Sequence, residues 1–378
     1  MPRGPVLDLI VIGPGLVGKA LLSQLVGHPA FASGAVPAHE GLALRVVAVA
    51  NSTAIVEEVN FSDAGWTEHL DQRLAEAGKA GGGGSVLSHV STLVAVACTR
   101  EHNICVVDCT ASAKVASHYE RWLEAGASVV TPNKKANSGR LSDYQKLKAI
   151  QRESHTHYFY EATVGAGLPI LSTLQNLLAT GDKVKQIEGV FSGTLSYIFN
   201  SFGASKKFSD VVAEAKALGY TEPDPRDDLD GMDVARKVCI LARECGIQIL
   251  DVDLIAKRSL VPDELEAAAS IDEFMAELPK YDSLIAAEAE EAAAEGKVLR
   301  FVGVVDVENS RTSVELRKYD KTHAFATLQG SDNMVSFRTA RYDSNPLIVR
   351  GPGAGAEVTA AGVFCDILAV ARRLGAKI

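Results

Sequence analysis

Three glycines near the N-terminus constrain the fold of this chain more than any other feature. Residues 6–22 read V-L-D-L-I-V-I-G-P-G-L-V-G-K-A-L-L. A run from Leu7 to Ile12, apolar except for Asp8, ends at Gly13, and Gly15 and Gly18 complete a G-x-G-x-x-G pattern. Leu16, Val17, Ala20, Leu21 and Leu25 follow at helical spacing. In a strand–turn–helix unit the first glycine makes the tight turn and the second lets the backbone approach a pyrophosphate. The third lets helix and strand pack closely. The helix start, at Leu16 and Val17, offers free N–H groups and the positive end of its dipole to phosphates. The expectation is a Rossmann-type α/β domain that binds a dinucleotide through Gly13, Gly15, Leu16, Val17 and Gly18.

The next apolar run, residues 42–50, ends in Asn51, Ser52 and Thr53. A site selective for NAD carries Asp or Glu there, bonded to the ribose 2′-hydroxyl. Here no carboxylate comes before Glu57, which leaves room for the 2′-phosphate of NADP, although no Arg stands close by to clamp it. The pattern leans to NADP and leaves NAD open. Residues 104–112 (I-C-V-V-D-C-T-A-S) read as a further strand, 117–125 as an amphipathic helix, 127–130 as a strand and Pro132–Asn133 as a turn. Ligands in open α/β sheets bind beyond the carboxyl ends of the strands, where Thr110, Ala111 and Lys134 then stand. The Gly-rich stretch 75–86 reads as an exposed surface insertion.

Composition narrows the partners. A formal net charge of −9 argues against nucleic acid or an anionic membrane. No stretch approaches the roughly 20 apolar residues of a membrane span, and no basic leader with a cleavage site precedes the first strand. The six cysteines form no C-x-x-C pair and lie mostly in apolar runs, the pattern of buried, reduced thiols in a cytoplasmic protein. The nine histidines fall in no metal-binding pattern, and His155 and His157 read as surface residues.

Residues 219–237 (G-Y-T-E-P-D-P-R-D-D-L-D-G-M-D-V-A-R-K) concentrate six acids: Glu222, Asp224, Asp227, Asp228, Asp230 and Asp233. Pro223 and Pro225 stiffen the start, Gly231 breaks the chain, and a helical pattern follows. Asp233 and Lys237, four apart, share one face near the start of that helix. The stretch suits a site for a cationic amino group, and equally a solvated loop before a helix start that favours negative charge.

With T-P-N-K-K-A at 131–136, Y-E-A-T-V-G-A-G-L-P at 160–169 and G-V-F-S-G-T-L-S-Y-I-F-N at 189–200, the acidic stretch completes a set of motifs that resembles homoserine dehydrogenase. It looks most like the short monofunctional fungal form, over nearly the whole chain. The loops at 36–41 and 81–84 lengthen the nucleotide domain relative to that family, and no C-terminal regulatory module follows, so feedback through such a module is not expected.

The resemblance implies NAD(P)H-dependent, reversible reduction of L-aspartate 4-semialdehyde to L-homoserine, in a cytoplasmic homodimer. By the same resemblance Lys237 is the proton donor, Asp233 positions it, and Lys134 stands beside the nicotinamide. Glu222 and Asp233 bind the substrate amino group, and Thr194 and Tyr220 touch the substrate. Thr110, Ala111 and Gly355 join the cofactor contacts. Glu161, with the carbonyls of Val164, Ala166 and Leu168, matches a monovalent cation site, usually sodium. The substrate carboxylate is expected at backbone N–H groups of the S-G-T turn, 192–194.

The remaining chain completes the plan. Residues 254–296 are helix-rich and acidic, and 298–306, 312–319 and 333–339 read as antiparallel strands that join one near 185–192. The last helix is expected at 356–374. The domains expected are 1–160 with 346–378 for the dinucleotide, and 161–345 as an α+β substrate and dimerisation domain, an open sheet covered by helices. Two other functions fit parts of the pattern. Aspartate-semialdehyde dehydrogenase needs a nucleophilic cysteine, for which Cys109 is the candidate near the crevice, with no matched histidine to activate it. A non-catalytic NAD(P)-binding regulator would have no use for Lys134, Glu222, Asp233 and Lys237 together.

Overall fold

Strand β1, Val6–Ile12, is buried along nearly its whole length, which is why its sequence is a near-continuous apolar run and not an alternation. Its one charged residue, Asp8, sits in register opposite Arg45 of β2, Ala43–Ala50. The guanidinium donates to both carboxylate oxygens, Nε to Oδ1 at 2.7 Å and Nη2 to Oδ2 at 2.8 Å. A buried acid is thereby neutralised by a bidentate partner from the neighbouring strand. The computed structural model describes residues 6–28, 43–59, 61, 65–80, 85–100, 102–154, 156–203 and 206–375. The expected insertions at 36–41 and 81–84, and His155, lie outside the described residues.

The chain forms two units, Met1–Gly167 with Gly355–Ile378, and Leu168–Ala354. The first carries a sheet that continues with β3 (Ile55–Glu57), β4 (Asn103–Asp108), β5 (Ser128–Val130) and β6 (Tyr158–Phe159). Its spatial order is β3-β2-β1-β4-β5-β6, parallel throughout except for the β2–β3 pair. The order reverses beside β1, the switch point at which such sheets bind ligands. The last helix, Ala356–Arg373, packs on Leu16–Val26, and its Val363, Ile367 and Val370 join Leu21, Leu22 and Leu25 in one buried cluster. Each such side chain contributes about 1.5–3 kcal/mol when withdrawn from water. The single helix expected at 117–125 is instead two short ones, Ala113–Ala116 and Tyr119–Glu124. Ser112 caps the first through the Val115 N–H at 3.3 Å, so the helical segment starts earlier than apolar spacing suggests.

The second unit is an α+β arrangement on a sheet of β7 (Val184–Val190), β8 (Ala256–Lys257), β9 (Lys297–Asp306), β10 (Arg311–Asp320), β11 (Asp332–Thr339) and β12 (Leu347–Pro352). The order is β12-β11-β7-β9-β10-β8, antiparallel except for the short β8–β10 pairing. The helix Met232–Glu244 packs on β9 and β10. It lies close because Gly303 has no side chain: a Cβ there would meet Val238 Cγ2 at 2.5 Å. Gly189 of β7 stands opposite Gly303, and the Phe191 ring covers both. Among the described residues no helix is long and apolar enough to cross a membrane.

Arg300 of β9 is 6 % exposed and donates to backbone carbonyls only: Leu299 at 2.7 Å, Phe199 and Phe325 at 3.0 Å each, and Ala326 at 3.3 Å. Burial pulls its guanidinium down to about 10. The side chain serves as a buried donor hub joining β9, the helix Gly193–Ser201 and the turn after β10. Arg300→Met keeps the bulk and strands those carbonyls. It should lower stability by about 2–3 kcal/mol in urea denaturation, since each orphaned buried acceptor costs on the order of 1 kcal/mol or more; an unchanged midpoint would contradict this role.

Candidate functional site

The glycine turn after β1 forms one wall of a cavity of about 880 Å³. The cavity is lined by Gly13 and Gly15, by Asn51, Ser52 and Thr53 after β2, and by Thr110, Ser112 and Lys114 after β4. Each glycine has a separate reason to be there. A Cβ on Gly13 would meet Thr110 Cγ2 at 2.5 Å, and one on Gly18 would meet the Gly13 carbonyl oxygen at 2.3 Å. A Cβ on Gly15 would meet nothing within 4 Å, so its lack of a side chain keeps surface open and relieves no internal crowding. The helix Leu16–Val26 has no side-chain cap and no acid in its first turn, which leaves its N-terminal N–H groups to a ligand. Leu16, beside them, is 84 % exposed. These residues fit a dinucleotide.

A buried network that sequence reasoning missed holds the other two loops of this unit. Tyr119 donates to Asp108 Oδ2. Asn133 Nδ2 reaches the same oxygen and the Ser112 carbonyl, both at 3.0 Å. Thr131 Oγ1 donates to the Asp108 carbonyl at 2.8 Å, and Asp108 Oδ1 accepts the Thr110 N–H at 2.8 Å. Burial pushes the Asp108 carboxyl up, against these hydrogen bonds, and it raises the Tyr119 hydroxyl as well. The result is that the T-A-S turn at Thr110 and the T-P-N-K turn at Lys134 are tied to one carboxyl group. Ala111 is exposed on the first turn, and Lys134, half-buried, caps the short helix Lys135–Ser138. Gly355, with φ of 116°, precedes the last helix.

In the Leu168–Ala354 unit, Gly231 adopts φ of 71°, and the helix starts at Met232. Lys237, one turn in, is 7 % exposed. Its ammonium is 2.8 Å from Asp233 Oδ2 and donates to the Phe191 carbonyl at 2.7 Å. Asp233 itself is about half exposed. The acids of the preceding loop divide by task. Asp224 pairs with Arg226 at 2.6 Å, which holds its carboxyl below the usual range. Asp230 accepts the Met232 N–H at 2.7 Å and faces Lys257. Asp228 accepts the Glu222 N–H at 2.7 Å and stands 2.9 Å from Thr194 Oγ1. Burial pushes the Asp228 carboxyl up, with Glu222 and Asp233 adding repulsion from nearby. Glu222, Asp228 and Asp233 thus form a patch of negative potential, with Glu222 and Asp233 exposed. Thr194 Oγ1 is engaged by the Tyr220 carbonyl at 2.7 Å and by Asp228, so its first task is to pin the loop. Tyr220 is 44 % exposed, its ring against Tyr197.

Residues 161–168 curl tightly. Gly165 (φ 79°) and Ala166 (φ 55°) are both left-handed, unusual for alanine. Val164 and Ala166 are buried, and the Glu161 N–H donates to Asp366 Oδ2 at 2.8 Å. Burial holds the Asp366 carboxyl up at about 8. The Leu168 carbonyl, at the start of the second unit, accepts the Ile170 N–H. Among the described residues no group of three or more His, Cys, Asp or Glu could hold a metal ion. The six cysteines are free, and Cys365, expected buried, is exposed. Burial and the adjacent Asp108 push the Cys109 thiol up, the opposite of the lowered pKa that a nucleophilic cysteine of an aspartate-semialdehyde dehydrogenase needs.

A glycine cradle beside a parallel-sheet switch point, with a buried lysine held by a carboxylate elsewhere in the chain, belongs to nicotinamide-dependent dehydrogenases; that is the class these units define. Comparison with known proteins narrows it. The family profile described as homoserine dehydrogenase matches residues 169–368, and that of the homoserine dehydrogenase NAD binding domain matches 13–161. The chain belongs to the homoserine dehydrogenase family. It is 44 % identical to the homoserine dehydrogenase of Saccharomyces cerevisiae, over 98 % of this chain and 99 % of that protein. It is 53 % identical, over 97 % of its length, to a chloroplastic bifunctional aspartokinase/homoserine dehydrogenase of Zea mays, of which it spans 38 %. A Candida auris protein of unknown function superposes with a TM-score of 0.84 at 41 % identity, covering 98 % of this chain and 99 % of that one.

The two glycine substitutions separate ligand from fold. Gly15→Ala should leave the melting temperature unchanged and weaken dinucleotide binding at least about tenfold, followed by fluorescence of the reduced cofactor. Gly18→Ala should lower both, because its Cβ collides with the Gly13 carbonyl whether or not ligand is bound. Equal behaviour of the two variants would contradict the division of labour.

Proposed function

We propose that the protein catalyses the reversible NAD(P)H-dependent reduction of L-aspartate 4-semialdehyde to L-homoserine, a step towards threonine, methionine and isoleucine. The observation that carries this reading is Lys237, an ammonium 7 % exposed between the Phe191 carbonyl and Asp233, next to exposed carboxylates. A bound nicotinamide supplies or accepts the hydride at the substrate carbon. The protein must then neutralise charge on the carbonyl oxygen. Lys237 donates a proton to that oxygen in reduction and takes it back, as the amine, in oxidation. Asp233 and the Phe191 carbonyl hold the ammonium in one orientation. Glu222 and Asp233 bind the substrate amino group, and Asp228 strengthens the field they make. The substrate carboxylate goes to N–H groups at the start of the helix Gly193–Ser201, beside Thr194 and Tyr220. Lys134 serves the nicotinamide side, with Thr110, Ala111 and Gly355 among the cofactor contacts. A regulator without chemistry would have no need of this lysine.

The reading favours NADP over NAD. The Asn51 side chain is spent on the N–H groups of Thr53 and Ala54, both at 2.8 Å, and no acid follows β2 where an NAD site carries one. Lys79 and Lys114, exposed on the same cavity wall, offer the positive charge that a 2′-phosphate requires. A sodium ion held by Glu161 and the carbonyls of Val164, Ala166 and Leu168 belongs to the same proposal. The left-handed Ala166 supports it, because strain of this kind is kept where a ligand or site makes use of it. A homodimer through the Leu168–Ala354 unit completes it, supported by the exposed Ile348 on edge strand β12 and Tyr342 just before it. Six free thiols agree with a cytoplasmic location.

A spectrophotometric assay of nicotinamide reduction with homoserine tests reaction, substrate and cofactor together. Turnover should be faster with NADP than with NAD, and Lys237→Ala should reduce kcat by at least about a thousandfold with cofactor affinity retained. Turnover that survives this substitution would remove Lys237 from the mechanism. The cation is tested separately: Glu161→Ala should abolish any dependence of rate on sodium or potassium, and a wild-type rate indifferent to both would dispose of the ion.

A further inference from the structure

The Phe191 carbonyl that receives Lys237 receives a second donor. Asn333, in β11 and 0 % exposed, directs its side-chain Nδ2 to the same oxygen at 2.9 Å. A carbonyl oxygen has two lone pairs, so the amide and the ammonium take one each. The other end of the amide, Oδ1, is buried and has no hydrogen-bond partner among the described residues. A side chain selected only to fill space would not leave a buried acceptor unpaired, because that costs stability. The donor edge of Asn333 is therefore what the fold retains.

The surroundings are shaped around this amide. Gly353 lies against it: a Cβ there would meet Asn333 Nδ2 at 2.1 Å and Cγ at 2.3 Å. Asn333 pairs with Gly351 of β12, and its neighbour Met334 pairs with Val190 of β7. The helix that follows Phe191 is anchored to the same strand, since Ser196 Oγ donates to the Asp332 carbonyl at 2.8 Å. Asp233, on its own helix, pairs with the ammonium, and in the loop before it Asp228 feels the charge of both Glu222 and Asp233. Beneath that helix, β9 offers Gly303 and β10 its register partner Val314, whereas Glu315 and Arg317 of β10 alternate to the other face of the sheet, where Arg317 pairs with Glu188 and Glu315. Lys257 of β8 faces Asp230.

We propose that Asn333 is a positioning residue for Lys237: its amide holds the Phe191 carbonyl that orients the ammonium, and it competes with the ammonium for that oxygen. The inference rests on Lys237 being the proton donor. Without the amide, the carbonyl has lost one tether and gives its full acceptor strength to Lys237. The amide's positive edge, which opposes the neighbouring charge, is gone as well. Both changes favour the ammonium over the amine.

The test uses full-length protein labelled with ε-13C-lysine, with the Lys237 resonance assigned through Lys237→Arg. In Asn333→Ala the Lys237 titration should move upward by about half a pH unit. The lysine limb of the kcat profile should move with it, and kcat should fall about tenfold with the KM for cofactor unchanged. Gly353→Ala, which pushes the amide away and alters no charge, should reproduce all three changes and serves if Asn333→Ala fails to fold. The double variant Asn333→Ala/Gly353→Ala relieves that collision without restoring a donor. It should stay shifted, whereas a packing role would return it to wild-type titration and rate. An unmoved Lys237 titration in the single variants, or a restored double variant, would overturn the proposal. Retained turnover in Lys237→Ala is a different failure, that of the proton-donor assignment, and the NMR titration would still report on Asn333.

Discussion

The seating of Lys237 depends on two missing side chains. Gly189 and Gly303 face each other across β7 and β9, and the space above them is filled by Phe191 and by Val238 of the helix that carries Lys237. A methyl group at Gly303 would meet Val238 at 2.5 Å and the Phe191 ring at 3.0 Å. Close approach brings the lysine within 2.7 Å of the Phe191 carbonyl and removes it from water. A lysine at the same position on a helix held further from the sheet would be solvated, free to choose rotamers, and poorly placed to give one proton to one oxygen.

The acidic loop before this helix is a working structure, and its charges are not interchangeable. Asp224 is consumed by Arg226, and Asp230 by the helix start. Asp228 braces Thr194 and the Glu222 backbone. With those three committed, Glu222, Asp227 and Asp233 remain as exposed carboxylates, and Asp233 is the one that pairs with Lys237. In the dinucleotide unit Asp108 has the corresponding part. It is a buried carboxyl group that fixes two turns by accepting from Tyr119, Asn133 and Thr110.

How much of this could be read beforehand followed the range of the interactions. The glycine turn, the helix break at Gly231 and the Asp233–Lys237 pair are local, set by residues a few positions apart, and each was found where the spacing put it. Edge strand β12 went unread, whereas β7, β9, β10 and β11 were legible as strand-length segments between polar turns. Two-residue β8 was not, because so short a segment has no period. Asp8 interrupted an apolar strand without an apparent reason until Arg45 of the neighbouring strand stood opposite it. Asn333 had no signal at all. Its partner is 142 positions away, and an asparagine within a strand pattern looks like any polar residue on an outer face.

By itself, then, the amino-acid sequence determined the class of fold, the family and the candidate chemistry, because glycine spacing, helical periodicity and long motifs are written in neighbouring residues. Tertiary structure alone decided which partner each acid takes, and that burial and Asp108 push the Cys109 thiol up. It also decided that one carbonyl is shared by Lys237 and Asn333. Those outcomes rest on burial and on hydrogen bonds between residues distant in the chain, and neither exists until the strands have paired and the helices have packed on them.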